Sequence, residues 1–593
     1  MIDTADFTGI TTQFANFASL AAVSDYWLTK WLTPVWFLGI GVGVGLLAIL
    51  VFALVARSLS HLPFWESLSH SPAGHFVALV ISLALTAAIG YGPLSAEGDN
   101  TALFRAETSM LWLTLFLLCS IVGWASVFCC SRQSAKNIFA TLGEGAAGFI
   151  GITAMVVVIL GLISTVVVDD PLRAFTSFPE LFSTGSRDEV RVVAGNKDAT
   201  PDAAPFVPVD MAIDASLLES IKITTNRSIV LADGASTFEF RRVPTRLDAG
   251  ESTSWNRKQN LADSPIPLGE DQQLFIQNRE IDPADVTFTI VTRPAVPESR
   301  TFLVAALAVF VVGLALLLQQ AIAPRVSAVA LATVKNELAQ PLFVVLMMLG
   351  VLAIVLFVFL PFNTFGEDIK LLKDCGITTI MLLAAFQGVW SASSSISEEI
   401  EGRTALTVLS KPIQRRSFII GKFLGVFWLL VLMFVVLGAV ELGAVAYKPI
   451  YDAREASVTE LTWQTCHLEM MSTLPGLAMA LMQAVVLSAI SVALATRMPQ
   501  LANLSVCFAV YVVGNLTTAL VSSTQEGFEI VRFVAQLVAT IIPILEHFSM
   551  QAAIDSGNQI TLSLLSGSLI YCLLYVLLAM FLALLLFEDR DLA

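Results

Sequence analysis

Eleven apolar runs, each close to the 17–25 residues that a helix needs to cross a bilayer, decide more about this chain than any other feature. The first four lie near 36–57, 74–92, 110–130 and 146–168. A long polar stretch follows, and then come 301–321, 342–360, 376–394, 418–446, 476–496, 499–521 and 564–586. In lipid the backbone must satisfy its own polar groups, so such runs fold as helices. The chain is 56% hydrophobic and 14% charged, whereas soluble domains are about 25% charged. The expectation is a mostly α-helical polytopic membrane protein with about eleven transmembrane helices. A twelfth apolar stretch, 533–545, is too short to span, is cut by Pro543, and runs into Glu546 and His547. It suits a re-entrant or interfacial segment.

The first basic residue is Lys30, so residues 1–35 lack the positive start of a cleavable signal. With Phe7, Phe14, Phe17 and Leu20 among polar residues, they read as an external amphipathic lead-in to a retained span. Orientation follows from basic residues in short loops. Arg57, Arg132, Lys136, Arg325, Lys335, Arg497 and the group from Arg403 to Lys422 occupy alternate loops, which are taken as cytoplasmic. The N-terminus is then external and the C-terminus cytoplasmic. The net charge of −15 is no partner signal, because about half of it sits in 169–300. An acidic excess also argues against nucleic acid, which wants clustered Lys and Arg.

Residues 169–300 are too long for a connection and read as an external β-rich domain. Pro201, Pro205 and Pro208 mark a linker at its start. Strand-like runs follow at Ile221–Thr225, Ser228–Leu231, Phe238–Arg242, Leu274–Gln277 and Val286–Val291. In the last, apolar and polar residues alternate with period two. Turn signals at Asp233–Gly234 and Ala249–Gly250 separate them, and a small β-sandwich is expected. The chain thus divides into the lead-in 1–35, a four-span module 36–168, the domain 169–300, a span 301–321, a helix at 322–341 and a six-span module 342–593. In 322–341, Val326, Val334 and Leu338 share one helical face and Lys335, Asn336 and Glu337 lie off it. That suits a cytoplasmic helix, either lying in the membrane interface or serving as a plain connector.

The most organised polar stretch is Ser395 to Lys422, SISEEIEGRTALTVLSKPIQRRSFIIGK. Ser395-Ile-Ser-Glu398 fits a capping box, and Glu398, Glu399 and Glu401 suit the positive end of a helix dipole. Ile400, Leu406 and Leu409 supply apolar contacts. Gly402 and Arg403 follow the acids. Lys411 precedes Pro412, which stops a helix. Arg415 and Arg416 then meet anionic headgroups where the next span begins. The residues describe a helix of about three turns along the membrane, over about 396–411, free to touch a cytosolic partner. A well-capped polar loop with positive-inside charges would carry the same residues.

That stretch resembles the signature of ABC-2 type permeases, the membrane subunits of one class of ATP-binding-cassette transporters. The resemblance runs over about 325–593. Val334 to Phe343, VKNELAQPLF, resembles the amphipathic helix ahead of the family's first span, and Phe587 to Leu592, FEDRDL, its ending after the sixth. The short stretch 533–545 resembles the family's re-entrant external helices. The resemblance implies a type V exporter-like six-helix module whose coupling helix, about 396–411, docks a separate ATPase. Glu398, Glu399, Glu401, Gly402, Arg403, Lys411, Pro412 and Arg415 are the implied contacts. It also implies pairing with a second permease copy or a homologous one, and export. Residues 1–300 have no counterpart in a minimal six-span permease.

Nothing fits the phosphate-cradling pattern G-x-x-x-x-G-K-S/T. The chain therefore reads as a transport subunit without enzyme activity or cofactor of its own, with ATP and Mg2+ in the partner. Gly39, Gly41, Gly43 and Gly45 read as close helix packing. No metal site is expected, since Cys466–His467 and Glu546–His547 are isolated dipeptides and no CxxC occurs. Only Cys375 and Cys466 lie near external loops and could pair; otherwise the seven cysteines read as small buried hydrophobes. At membrane depth, Glu441 either lines or gates a path or reaches external water. Gln387, a second path candidate, joins Gln483, Asn503 and Asn515 as candidates for interhelical hydrogen bonds. A competing function is a membrane scaffold or sensor whose external domain binds an envelope component. An ion-driven carrier would need charged pairs at mid-membrane beyond Glu441.

Overall fold

A computed structural model describes residues 27–69, 71–90, 102–195, 204–209, 217–235, 240, 243–256, 274–360, 368–398, 414–455, 461–523, 533, 536–537, 541–550 and 560–588. It divides into two compact units, Met1–Val168 with Phe302–Ala593 and Asp169–Thr301.

The first unit is helical. Before the insert come α1 (Leu28–Leu59), α2 (Pro72–Gly90), α3 (Ala102–Phe128), α4 (Arg132–Gly143) and α5 (Gly145–Ser164). After it come α6 (Arg300–Ile322), α7 (Pro324–Leu338), α8 (Pro341–Phe359), α9 (Asp368–Ser393), α10 (Arg415–Glu455), α11 (Trp463–Ala495), α12 (Gln500–Ser523) and α13 (Leu562–Glu588). Among the described residues, ten helices are long and apolar enough to cross a membrane: α1, α2, α3, α5, α6, α8, α10, α11, α12 and α13. The expected eleventh, α9, is 26 residues long but is not among them. Asp368, Lys370, Lys373 and Asp374 crowd its first two turns, and most of its second half is buried inside the unit. A helix wrapped by protein rather than lipid can keep polar residues on its surface.

Small residues and indoles join the helices on either side of the insert. A side-chain carbon on Gly39 would meet the Gly161 backbone at 2.7 Å, and one on Gly45 would meet the Ala306 carbonyl at 2.8 Å. The glycines of α1 thus bring α5 and α6 into backbone contact, as close packing in membranes favours. The Trp31 indole donates to the Gly443 carbonyl at 3.0 Å, and within the helices after the insert Trp428 donates to Gln319 Oε1 at 2.6 Å. Phe37 stacks on Trp463 at 5.6 Å. Residues 1–26, most of the expected lead-in, lie outside the described residues.

The second unit holds two four-stranded antiparallel sheets. The strands are β1 (Ser186–Val193), β2 (Val207–Val209), β3 (Leu218–Thr225), β4 (Ile229–Ala232), β5 (Thr245–Leu247), β6 (Ser252–Asn256), β7 (Leu274–Asn278) and β8 (Ala284–Thr292). One sheet runs β1-β8-β3-β6, the other β2-β7-β4-β5. Ile221, Ile223, Val286, Phe288 and Ile290 of the first share a buried cluster with Ile229, Leu231, Leu274 and Ile276 of the second. Gly250 sits at φ 81°, and its amide donates to the Thr225 carbonyl at 2.8 Å, closing the expected turn. Of the expected linker prolines, Pro201 lies outside the described residues and Pro205 lies in irregular backbone just before the edge strand β2. Pro208 lies in β2, an edge position where its missing amide proton costs no ladder bond. The expected strand Phe238–Arg242 falls almost wholly outside the described residues.

Candidate functional site: the ends of the charged segment and the buried polar groups of the bundle

Residues 399–413 lie outside the described residues, and with them Glu399, Glu401, Gly402, Arg403, Lys411 and Pro412. Both flanks are described. On the near side α9 does not stop at Ser393 but continues through a π-helical turn, Ser394–Glu398. This overturns the capping box. Ser395 Oγ is buried without a partner among the described residues. Ser397 Oγ donates to the Ala495 and Met498 carbonyls at 3.3 and 3.2 Å. With Ile396 fully buried, the turn packs as the last part of α9 rather than capping a new helix. The serine run permits this, since small hydroxyl side chains fit against a neighbouring helix end. Single π turns recur at functional sites.

On the far side, Arg415 opens α10 and its guanidinium donates to the Glu588 carbonyl at 3.1 Å. Phe418 stacks on Phe587 at 6.0 Å. The flanks of the segment, the end of α9 and the start of α10, are therefore held against the end of α11 and the end of α13. Gly421, the second glycine of the signature stretch, has a packing purpose. A side-chain carbon there would meet Val329 Cβ at 2.7 Å, and one on Gly425 would meet Thr333 Cβ at 2.7 Å. The two glycines let α7 lie directly on α10. The buried face of α7 is Ala330, Thr333, Val334 and Glu337. Glu337, expected off that face, is buried, and the Gln340 amide donates to it at 3.2 Å. Val326 and Leu338 are half-buried.

Inside the bundle, Gln483 donates to Asn515 Oδ1 at 3.3 Å, and Asn503 donates to the Ser491 carbonyl and hydroxyl at 3.1 and 3.0 Å. These are the expected interhelical bonds between α11 and α12. Gln387 differs: it is fully buried, and neither its amide nitrogen nor its oxygen has a partner among the described residues. Glu441 is also fully buried, so it does not reach external water. Both its oxygens lack partners among the described residues, and its carboxylate lies against the bare Cα of Gly376.

Sequence reasoning missed what stands beside it. Lys373, which lies ahead of the apolar run read at 376–394, is buried on α9 one turn before Gly376. It is ion-paired with Glu469 of α11 and donates to Ser472 Oγ at 2.7 Å. The partners are 96 residues apart, so no local pattern announces the pair. Cys375 and Cys466 are free thiols.

The helices that bracket the charged segment form one family's segment. Residues 362–592 match the family model of the ABC-2 family transporter protein. This segment resembles an ABC-2 type permease. No curated protein and no solved structure matches the chain. The permease segment spans α9 to α13, so α7 and α8 precede it. With ten apolar helices, the chain is an integral membrane protein whose permease segment is a transport component and not itself catalytic.

Proposed function

We propose that this chain is the permease subunit of an ATP-binding-cassette exporter in the plasma (cell inner) membrane. ATP and Mg2+ would be bound by a separate ATPase docked on the segment about 396–411. Glu398, Glu399, Glu401, Gly402, Arg403, Lys411 and Pro412 would form the docking surface, with Arg415 at its edge. The observation that carries this reading is the anchoring of both flanks. Ser397 ties one flank to the end of α11, and Arg415 with Phe418 ties the other to the end of α13. A displacement of the docked segment would reach two membrane helices at once, which is what a coupled permease requires.

The basic loops favour a cytoplasmic position for this segment and an external one for the N-terminus and the β-sheet unit. That unit would engage an external protein. A second copy or a homologous permease would complete the pathway, in contact with membrane lipids. Glu441 and Gln387, buried without partners among the described residues, would line it. The test is affinity purification from mild detergent. The wild-type chain should bring down an ATPase, and replacing Glu398, Glu401 and Gly402 together should release it while the chain stays monodisperse. Retention of the ATPase by that variant would sink the docking assignment. A wild-type preparation that never carries an ATPase would favour a scaffold.

A further inference from the structure

One cation and two carboxylates meet where α9, α10 and α11 converge, and only one carboxylate is satisfied. Lys373 of α9 is engaged by Glu469 and Ser472 of α11. Glu441 of α10 is fully buried with both oxygens unpartnered among the described residues. An uncompensated buried carboxylate is expensive, and a native fold that keeps one calls for an explanation. Here it lies against Gly376, one helical turn along α9 from Lys373, whose charge reaches it. The next buried lysine on α10, Lys448, is held by Asp452 at 2.9 Å and by the Val358 carbonyl at 3.4 Å. Lys373 is therefore the cation placed to serve Glu441.

We propose that Glu469, Lys373 and Glu441 form a two-position latch: Lys373 pairs with Glu469 in the conformation seen here and with Glu441 in a second one. Each position pairs Lys373 with one carboxylate and releases the other, Glu469 to water at its partly exposed side and Glu441 to the apolar interior, so the cluster has two alternative pairings. The same turn of α9 supports the segment that precedes α13. Ile377 and Met550 both press on Gly476 of α11. Moving Lys373 from α11 towards α10 therefore shifts α9 against α11 and disturbs the seat of Met550. Through this latch the permease bundle would alternate between two packings at this end. The inference rests on the permease reading for its purpose, but its test does not need the ATPase.

The chain carries its own reporter. Cys375 is half-buried two residues beyond Lys373, whereas the other six cysteines are buried. The purified full-length chain in lipid nanodiscs is labelled with N-ethylmaleimide, and modification of Cys375 is followed by mass spectrometry. Glu469→Gln frees Lys373 to move to Glu441 and should change the Cys375 rate by at least about threefold. Adding Glu441→Gln removes the second acceptor and should return the rate to the wild-type value. Should that double variant not be recovered, Lys373→Met with Glu469→Gln removes the travelling charge and should give the same return. A Glu469→Gln rate within threefold of wild type, or a change that persists without the acceptor or the lysine, overturns the latch. Failure of ATPase co-purification would leave these rates untouched, so the two readings fail separately.

Discussion

At the scale of single residues, the permease bundle is built around side chains that are absent. Gly376 leaves room for the Glu441 carboxylate, and Gly421 and Gly425 leave room for α7. Gly376→Ala should cost about 1–3 kcal/mol by overpacking, read as a lower thermal midpoint in detergent. Glu441→Ala in the same chain should recover most of the loss; an unchanged midpoint for Gly376→Ala alone would disprove the contact. In the β-sheet unit, Glu280 accepts from the Ser228 amide at 3.0 Å and from Arg227 at 2.9 Å. These bonds hold its carboxyl below the usual range, the Ser228 amide contributing most. A group depressed on folding stabilises above its unfolded value, about 4.3, and that stabilisation is lost as pH falls through the folded one. Amide protection factors in β4 and β7, corrected for the intrinsic pH dependence of exchange, should therefore fall from about pH 5 downwards, and Glu280→Gln should flatten part of that dependence. A wild-type profile that matches the Glu280→Gln one would discard the link.

At the scale of elements, the sequence was most readable where lipid sets the rule. Helix limits such as Pro341–Phe359 lie close to the apolar run read at 342–360. α9 was only partly legible, because its charged first turns are compensated by α11 rather than by anything nearby in the chain. The capping box at Ser395 failed for a related reason. A serine followed by an acid marks a helix start only if the preceding backbone has ended, and here α9 carries on to Glu398. The strands β3, β4, β7 and β8 announced themselves by alternation and apolar content. β1 did not, because Arg187, Glu189 and Arg191 stand opposite Ile290, Phe288 and Val286 of β8. Charges on an inward face discourage further pairing at an exposed edge. They hide the strand from pattern reading for the same reason. The buried pair Lys373–Glu469 had no sequence signal at all, while Glu441 and Gln387 were visible as polar residues inside apolar runs.

At the scale of the whole molecule, the helices before the insert do not stand apart from the permease segment. Trp31 and Phe37 each cross between them, and Trp27 adds an edge contact to Tyr447 at 6.2 Å. Each aromatic contact of this kind contributes about 0.5–1.5 kcal/mol beyond the area that it buries. Expressed as two polypeptides, 1–322 and 323–593 should co-purify in mild detergent. The second half alone should give lower yield and a lower thermal midpoint. Halves that separate on size exclusion, with the second fully stable, would show that the contacts are incidental.

The longest element, α10, has 41 residues, which at 1.5 Å per residue makes a rod of about 60 Å, twice the thickness of a hydrocarbon core. Its contact with α7 at Gly421 and Gly425 lies near one tip, beside Arg415, where it would serve as a fulcrum for any tilt. Glu441 stands sixteen residues beyond Gly425, about 24 Å along the arm. A tilt of about 5° at the fulcrum would sweep that carboxylate through about 2 Å, a step on the scale that separates a made ion pair from a broken one. On the permease reading proposed above, a short stroke delivered at Arg415 would arrive at Glu441 multiplied by leverage, with no need for the rod to bend.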